Sequence, residues 1–150
     1  MGRIALMVCV LTAAVAAVAI AGSRPPAGTT YSGKTSQGRG IHLRVVAGGG
    51  LQSTWRDTAT CNRGPDRKGR SNYIHDRPTI RANGTFDYHK AYHNLPADAP
   101  AFPERHDDVQ HLSGGVHGGT IIGRLHEVLT SRESNLRCTI DLTFTAYRDK

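Results

Sequence analysis

Eight of the 150 residues are histidine, the side chain best suited to act as ligand, acid or base near neutral pH. They are His42, His75, His89, His93, His106, His111, His117 and His126. His89 pairs locally with His93, and His111 with His117; both spacings are even, so within a β-strand each pair faces one way. His106-Asp107-Asp108 adds carboxylates, although adjacent acids point to opposite faces of a strand. A transition-metal centre needs three or four such donors converging at about 2.0–2.2 Å. His89, His93, His111 and His117 are the set that the spacing offers. The chain has no HExxH motif and no Cys/His finger spacing. Scattered surface histidines are therefore the favoured reading, and no cofactor is expected.

The next candidate is electrostatic. Residues 62–81 hold Arg63, Arg67, Lys68, Arg70, Arg77 and Arg81 against only Asp66 and Asp76. Arginine offers paired donors to carboxylate and phosphate groups, so Arg63, Arg67, Lys68 and Arg70 form a candidate polyanion site. The alternative is a solvated loop in an arginine-rich protein. Only Tyr73 is near enough to stack on bases, so nucleic acid is not the expected partner. Hydrolase chemistry has weaker support. There is no GxSxG, and Ser113-Gly114-Gly115 lacks a strand-to-helix turn. Two carboxylates far apart in sequence leave no local mark, so a paired-acid hydrolase or carbohydrate-binding domain stays open. Trp55 shares parity with Leu51 and Cys61, which favours a core position over a sugar platform.

The cysteines and the N-terminus set the compartment. Arg3 precedes an uncharged run, Ile4 to Ala21, that closes on Ala19-Ile20-Ala21. This reads as a signal segment cleaved before Gly22, the alternative being a retained membrane anchor. Cleavage removes Arg3 and Cys9 and leaves 18 Lys and Arg against 12 Asp and Glu. Cys61 and Cys138 then remain, and an even pair in an exported chain is most simply one disulfide. A basic, exported chain suits an anionic cell-envelope polymer or surface as partner. A membrane enters only if the N-terminal segment stays. No motif speaks to oligomeric state.

These side chains must be held by short strands. Seventeen Gly and seven Pro favour turns over long helices. Residues 22–29 read as a Pro/Gly linker between the signal segment, 1–21, and one domain, 30–150. Gly40–Ala47 and Leu51–Cys61 alternate around Gly48-Gly49-Gly50 as a hairpin, although Ser53 and Asp57 interrupt the apolar parity. Asn62–Pro78 reads as a loop, and Asn83-Gly84 as a two-residue turn. Asn94–Asp108, with three prolines, reads as an extended connection. Val109–Val116 is a weaker strand. Thr120–Thr130 permits helix or strand, and its β-branched residues favour strand. Leu136–Tyr147 alternates best, with Cys138, Ile140, Leu142, Phe144 and Ala146 on one side. The expected fold is all-β: an antiparallel sandwich or flattened barrel of about seven or eight strands, with Cys61–Cys138 bridging inward.

The order of motifs also resembles a group of small secreted proteins from high-GC Gram-positive bacteria. The shared marks are Tyr31-Ser32-Gly33-Lys34-Thr35-Ser36-Gln37-Gly38, then Ile41-x-Leu43-x-Val45, then Trp55 ahead of Cys61, Gly84-x-Phe86, and Cys138 leading to Phe144-Thr145-Ala146-Tyr147-Arg148. Phe144 stands where the group often has Trp, and Thr139-Ile140 where it often has Thr-Gly. The resemblance implies a secreted β-sandwich and supplies no active site. The combined expectation is a secreted, non-enzymatic β module that binds anionic polymers or surfaces. The alternative is a small extracellular hydrolase or carbohydrate-binding domain, with a His-based metal site as one variant.

Overall fold

The computed structural model describes residues 22–68, 72–74, 76–97, 102 and 104–150; of Arg67, Lys68, Asn72 and Tyr73 only the backbone is described. The expected signal segment, Arg70 and His75 lie outside these residues. Ten strands form: β1 (Thr30–Thr35), β2 (Gly40–Val45), β3 (Leu51–Trp55), β4 (Thr58–Cys61), β5 (Arg67–Lys68), β6 (Asn72–Tyr73), β7 (Thr85–Leu95), β8 (His106–His117), β9 (Thr120–Ser131) and β10 (Arg137–Arg148). Every pairing is antiparallel, in the order β6-β3-β2-β1-β10-β9-β8-β7, with β4 on the N-terminal half of β10 and β5 on β4. Between a sandwich and a flattened barrel, the chain adopts one curled sheet resembling half a barrel, with its core in the concavity.

Alternation decides which side chains enter that concavity. Ile41, Leu43 and Val45 of β2, Leu51 and Trp55 of β3, and Cys138, Ile140, Leu142, Phe144 and Ala146 of β10 are all buried. Each such large aliphatic or aromatic side chain contributes roughly 1.5–3 kcal/mol when fully buried. Trp55 is a core residue, as its parity indicates. Thr120–Ser131 is strand throughout, so β-branching outweighed the helical option.

Two glycines let the long strands close on aromatic rings. Gly114 and Gly123 face each other across β8 and β9, flanked in the same row by Phe86 and Phe144. A Cβ on Gly123 would lie 2.4 Å from Phe144 Cζ, and one on Gly114 would lie 2.6 Å from Phe86 Cζ. The rings occupy the space that side chains would fill.

Cys61 and Cys138 are disulfide-bonded and face each other across the β4–β10 pair. In place of the two-residue turn expected at Asn83-Gly84, three residues, Ala82 to Gly84, reverse the chain: the Gly84 amide donates to the Arg81 carbonyl at 2.9 Å, Gly84 takes φ +82°, and Asn83 Oδ1 accepts from the Thr85 amide and hydroxyl. Residues 22–29 run along the domain. Arg24 Nε donates to the Ile80 carbonyl at 2.7 Å and the Gly28 amide to Val45 at 2.8 Å.

Candidate functional site

Three groups of chemistry-bearing residues emerge from this sheet: one on its concave face and two on its outer face. The concave group is acidic. Gln110 Nε2 donates to Asp108 Oδ2 at 2.9 Å and to Glu127 Oε1 at 3.1 Å. Trp55 Nε1 donates to Asp57 Oδ2 at 2.7 Å. Asp57 and Asp108 are 1% exposed and Glu127 is 4% exposed. Burial pushes the Glu127 carboxyl well above the usual carboxylate range, and the Asp108 and Asp57 charges push it the same way. A hydrogen bond to Asp108 raises it further. Perturbed buried acids are a common mark of catalytic sites. These are closed off from water, and a substrate meets the same closure.

The outer face of β7 to β10 is a lattice of ion pairs and imidazoles. His89, His111 and His126 are direct cross-strand neighbours on β7, β8 and β9, and Asp141 continues the row on β10. The His89 and His111 rings are 5.5 Å apart. His111 Nε2 lies 2.9 Å from Asp87, and His126 Nδ1 lies 3.9 Å from Asp141. Arg124 grips Asp141 with two bonds, at 3.1 and 2.9 Å, and holds its carboxyl below the usual range. One row group further along, Arg132 and His93 meet Asp107 at 2.7 and 3.4 Å. The Asn94 amide and Arg132 lower the Asp107 carboxyl to about 2. Asp107 and Asp108 thus point to opposite faces, as adjacent strand residues must.

The outer face of β1 to β3 is different. Lys34, Arg44 and Arg56 project from it, and among the described residues none of them is in an ion pair. His42 sits at the centre, paired with Thr54 across β2 and β3 and bonded to Ser32 at 3.1 Å. Two shallow depressions flank it. One, of about 300 Å³, is lined by Gly40, His42, Thr54 and Arg56. The other, of about 330 Å³, is lined by Thr30, His42, Arg44, Gln52 and Asp149. Arg56 lies opposite Gly40, so the two arginines are four positions apart along β2, about 13 Å at 3.3 Å per residue. Tyr147, 63% exposed, stands beside Ser32 in the same row.

The residues expected from the sequence fall as follows. His89 and His111 meet. His93 lies about 13 Å along the strand from His89, and His117 about 20 Å from His111, because even spacing keeps side chains on one face without bringing them together. Among the described residues no group of three or more His, Cys, Asp or Glu is placed to hold a metal ion. Arg63 is exposed and donates to the Ser134 carbonyl at 3.3 Å. Arg67 and Lys68 form β5, in register with Ala59 and Thr58, and Gln37 ties Thr58 to the β1–β2 turn through two bonds. Arg70 lies outside the described residues. Sequence reasoning did not single out Lys34, Arg44 and Arg56 as one surface, nor Asp57, Asp108 and Glu127 as one cluster. Both need the strand register, and the only local signal was Asp57 breaking the apolar parity of its segment.

No protein-family model, curated protein or solved structure matches this chain. The disulfide indicates an oxidising compartment, and no helix among the described residues is long and apolar enough to cross a membrane.

Proposed function

We propose that this chain is a secreted or envelope-associated, non-catalytic module that holds anionic polymers on the outer face of β1 to β3. The observation that carries the reading is the trio Lys34, Arg44 and Arg56, cations on one sheet face with no carboxylate partner among the described residues. An unpaired cation attracts a polyanion without first giving up an internal partner. Ser32, His42, Gln52 and Thr54 add neutral donors between the charges, and the two depressions give acidic groups places to seat. Net charge of +7 supports the same partner class, and Arg63 is a further exposed cation beyond β4.

Retention on immobilised dextran sulfate at pH 7.5 tests this. The wild-type protein should bind at low salt and release as salt rises, because such binding is largely counter-ion exchange. The variant Lys34→Ser/Arg44→Ser/Arg56→Ser should lower the slope of log affinity against log salt by about 3, near one per contact. An unchanged slope in that variant, or no salt-dependent retention in the wild type, overturns the reading.

A further inference from the structure

We propose that the His89–His111–His126 row is a second anion-binding strip that acts only in acid, and that it takes the same class of ligand, a strongly acidic polymer. This rests on the reading above only for the identity of the ligand. The strip itself stands on its own geometry.

The three imidazoles occupy consecutive strands in direct register, and the His89 and His111 rings are 5.5 Å apart. The face is open: the side chains of Asp87, His111, Arg124, His126 and Asp141 are 43 to 61% exposed. The charged groups around the row are Asp87 on β7, Arg124 on β9 and Asp141 on β10. Beyond it lie His93, Asp107 and Arg132, in which the aspartate already holds the arginine. Lys90 belongs to the other face, paired with Asp76.

With the imidazoles neutral, the strip carries one arginine against two aspartates, a net charge of −1. Imidazole is the side chain that gains a proton between pH 8 and pH 5. With all three protonated the net charge becomes +2, and the strip turns from repelling a polyanion to attracting one. His111 and His126 then also satisfy Asp87 and Asp141, which removes the two local negative charges from play. His89 has no carboxylate within ion-pair distance among the described residues, so its added charge faces outward unopposed.

The test compares binding to dextran sulfate at pH 5.5 and 7.5 at fixed ionic strength. Sulfate esters stay ionised throughout, so only the protein titrates. The wild type should bind more tightly at pH 5.5, with the log affinity against log salt slope steeper by up to about 3. His89→Gln/His111→Gln/His126→Gln should keep the pH 7.5 affinity and lose that increment; circular dichroism checks that its sheet is intact. Lys34→Ser/Arg44→Ser/Arg56→Ser should keep the increment and lose the affinity at pH 7.5. The strip is overturned if the His variant gains as much in acid as the wild type, which would place the effect at histidines outside the row, such as His42, His93 or His117. It is also overturned if the wild type gains nothing in acid. Binding that appears only at pH 5.5, and vanishes in the His variant, upholds the strip and overturns the neutral-pH surface.

Discussion

The two halves of the sheet solve the same problem, a strand with one wet face, in opposite ways. The β7 to β10 half is built of strands 11 to 12 residues long, and its outer charges are nearly all matched: Arg124 with Asp141, Arg132 with Asp107, His111 with Asp87. The β1 to β3 half uses strands of five or six residues and leaves Lys34, Arg44 and Arg56 unmatched among the described residues. Their concave faces differ too. The short half buries Tyr31, Ile41, Leu43, Val45, Leu51 and Trp55, with Ser53 the polar exception on these strands besides Thr35. The long half carries Asp108, Gln110 and Glu127 among its aliphatic residues. Matched charges on a wet face add little stability, and at neutral pH each is already satisfied by its partner. Unmatched ones are available, and the difference locates where a polyanion is expected at neutral pH.

The largest expected effect comes from separating the halves. The disulfide joins β4, which follows the short half, to β10, which belongs to the long one. Cys138→Ala should cost on the order of 2–5 kcal/mol, read from denaturant midpoints. A single transition in that variant would show one cooperative unit; two transitions would show that the halves are independently stable and that the bond alone made them one.

Glu127→Gln probes the buried acids of the long half. A carboxyl whose folded pKa is raised binds its proton more tightly in the native state. Its contribution therefore falls as pH climbs from the unfolded value, near 4.3, towards the folded one. The slope over that window is about 1.4 kcal/mol per pH unit. Glutamine cannot ionise and can still donate to Asp108. The variant should lose this slope and match or exceed the wild type at pH 8. A wild-type stability that rises between pH 5 and 8 as steeply as in the variant would show that Glu127 is ionised in the fold.

The smallest effect belongs to the outer pairs. Arg124 and Asp141 are 61% and 47% exposed, so Arg124→Ser should shift stability by no more than about 0.5 kcal/mol. It should also leave dextran sulfate binding at pH 7.5 nearly unchanged. A loss of affinity equal to that of Arg44→Ser would erase the distinction between the two halves.

What the sequence makes legible follows from burial. β10 alternates cleanly because one of its faces is fully buried and the other is wet, and the Cys61–Cys138 bond follows from its parity and from the pair of cysteines left once Cys9 is assigned to the expected signal segment. β7 is hidden for the converse reason. It is an edge strand whose residues from His89 to His93 are mostly exposed on both sides, so no hydrophobic period marks it. Its backbone bonds to β8, the Lys90–Asp76 pair and the Tyr88–Tyr92 hydroxyl contact at 2.5 Å hold it instead. At Tyr92/Leu95 its register with β8 shifts, with Asn94 at φ +57°. The acidic cluster is invisible in sequence because Asp57, Asp108 and Glu127 come from three segments that only the register unites.

The bond between Cys61 and Cys138 also has a topological meaning. It closes a covalent ring that contains β5 to β9, while β1 to β3 and most of β10 hang from the ring as tails. A protease that cuts once anywhere between residues 62 and 137 opens the ring but frees neither piece, since both remain tied through the sulfur bridge. Held side by side, the two fragments keep the pairings on either side of the cut, and their reassociation is intramolecular and independent of dilution. In an oxidising compartment, a single nick in the basic segment after β4 is then an event the molecule can survive as one body, until a reductant lets the halves drift apart.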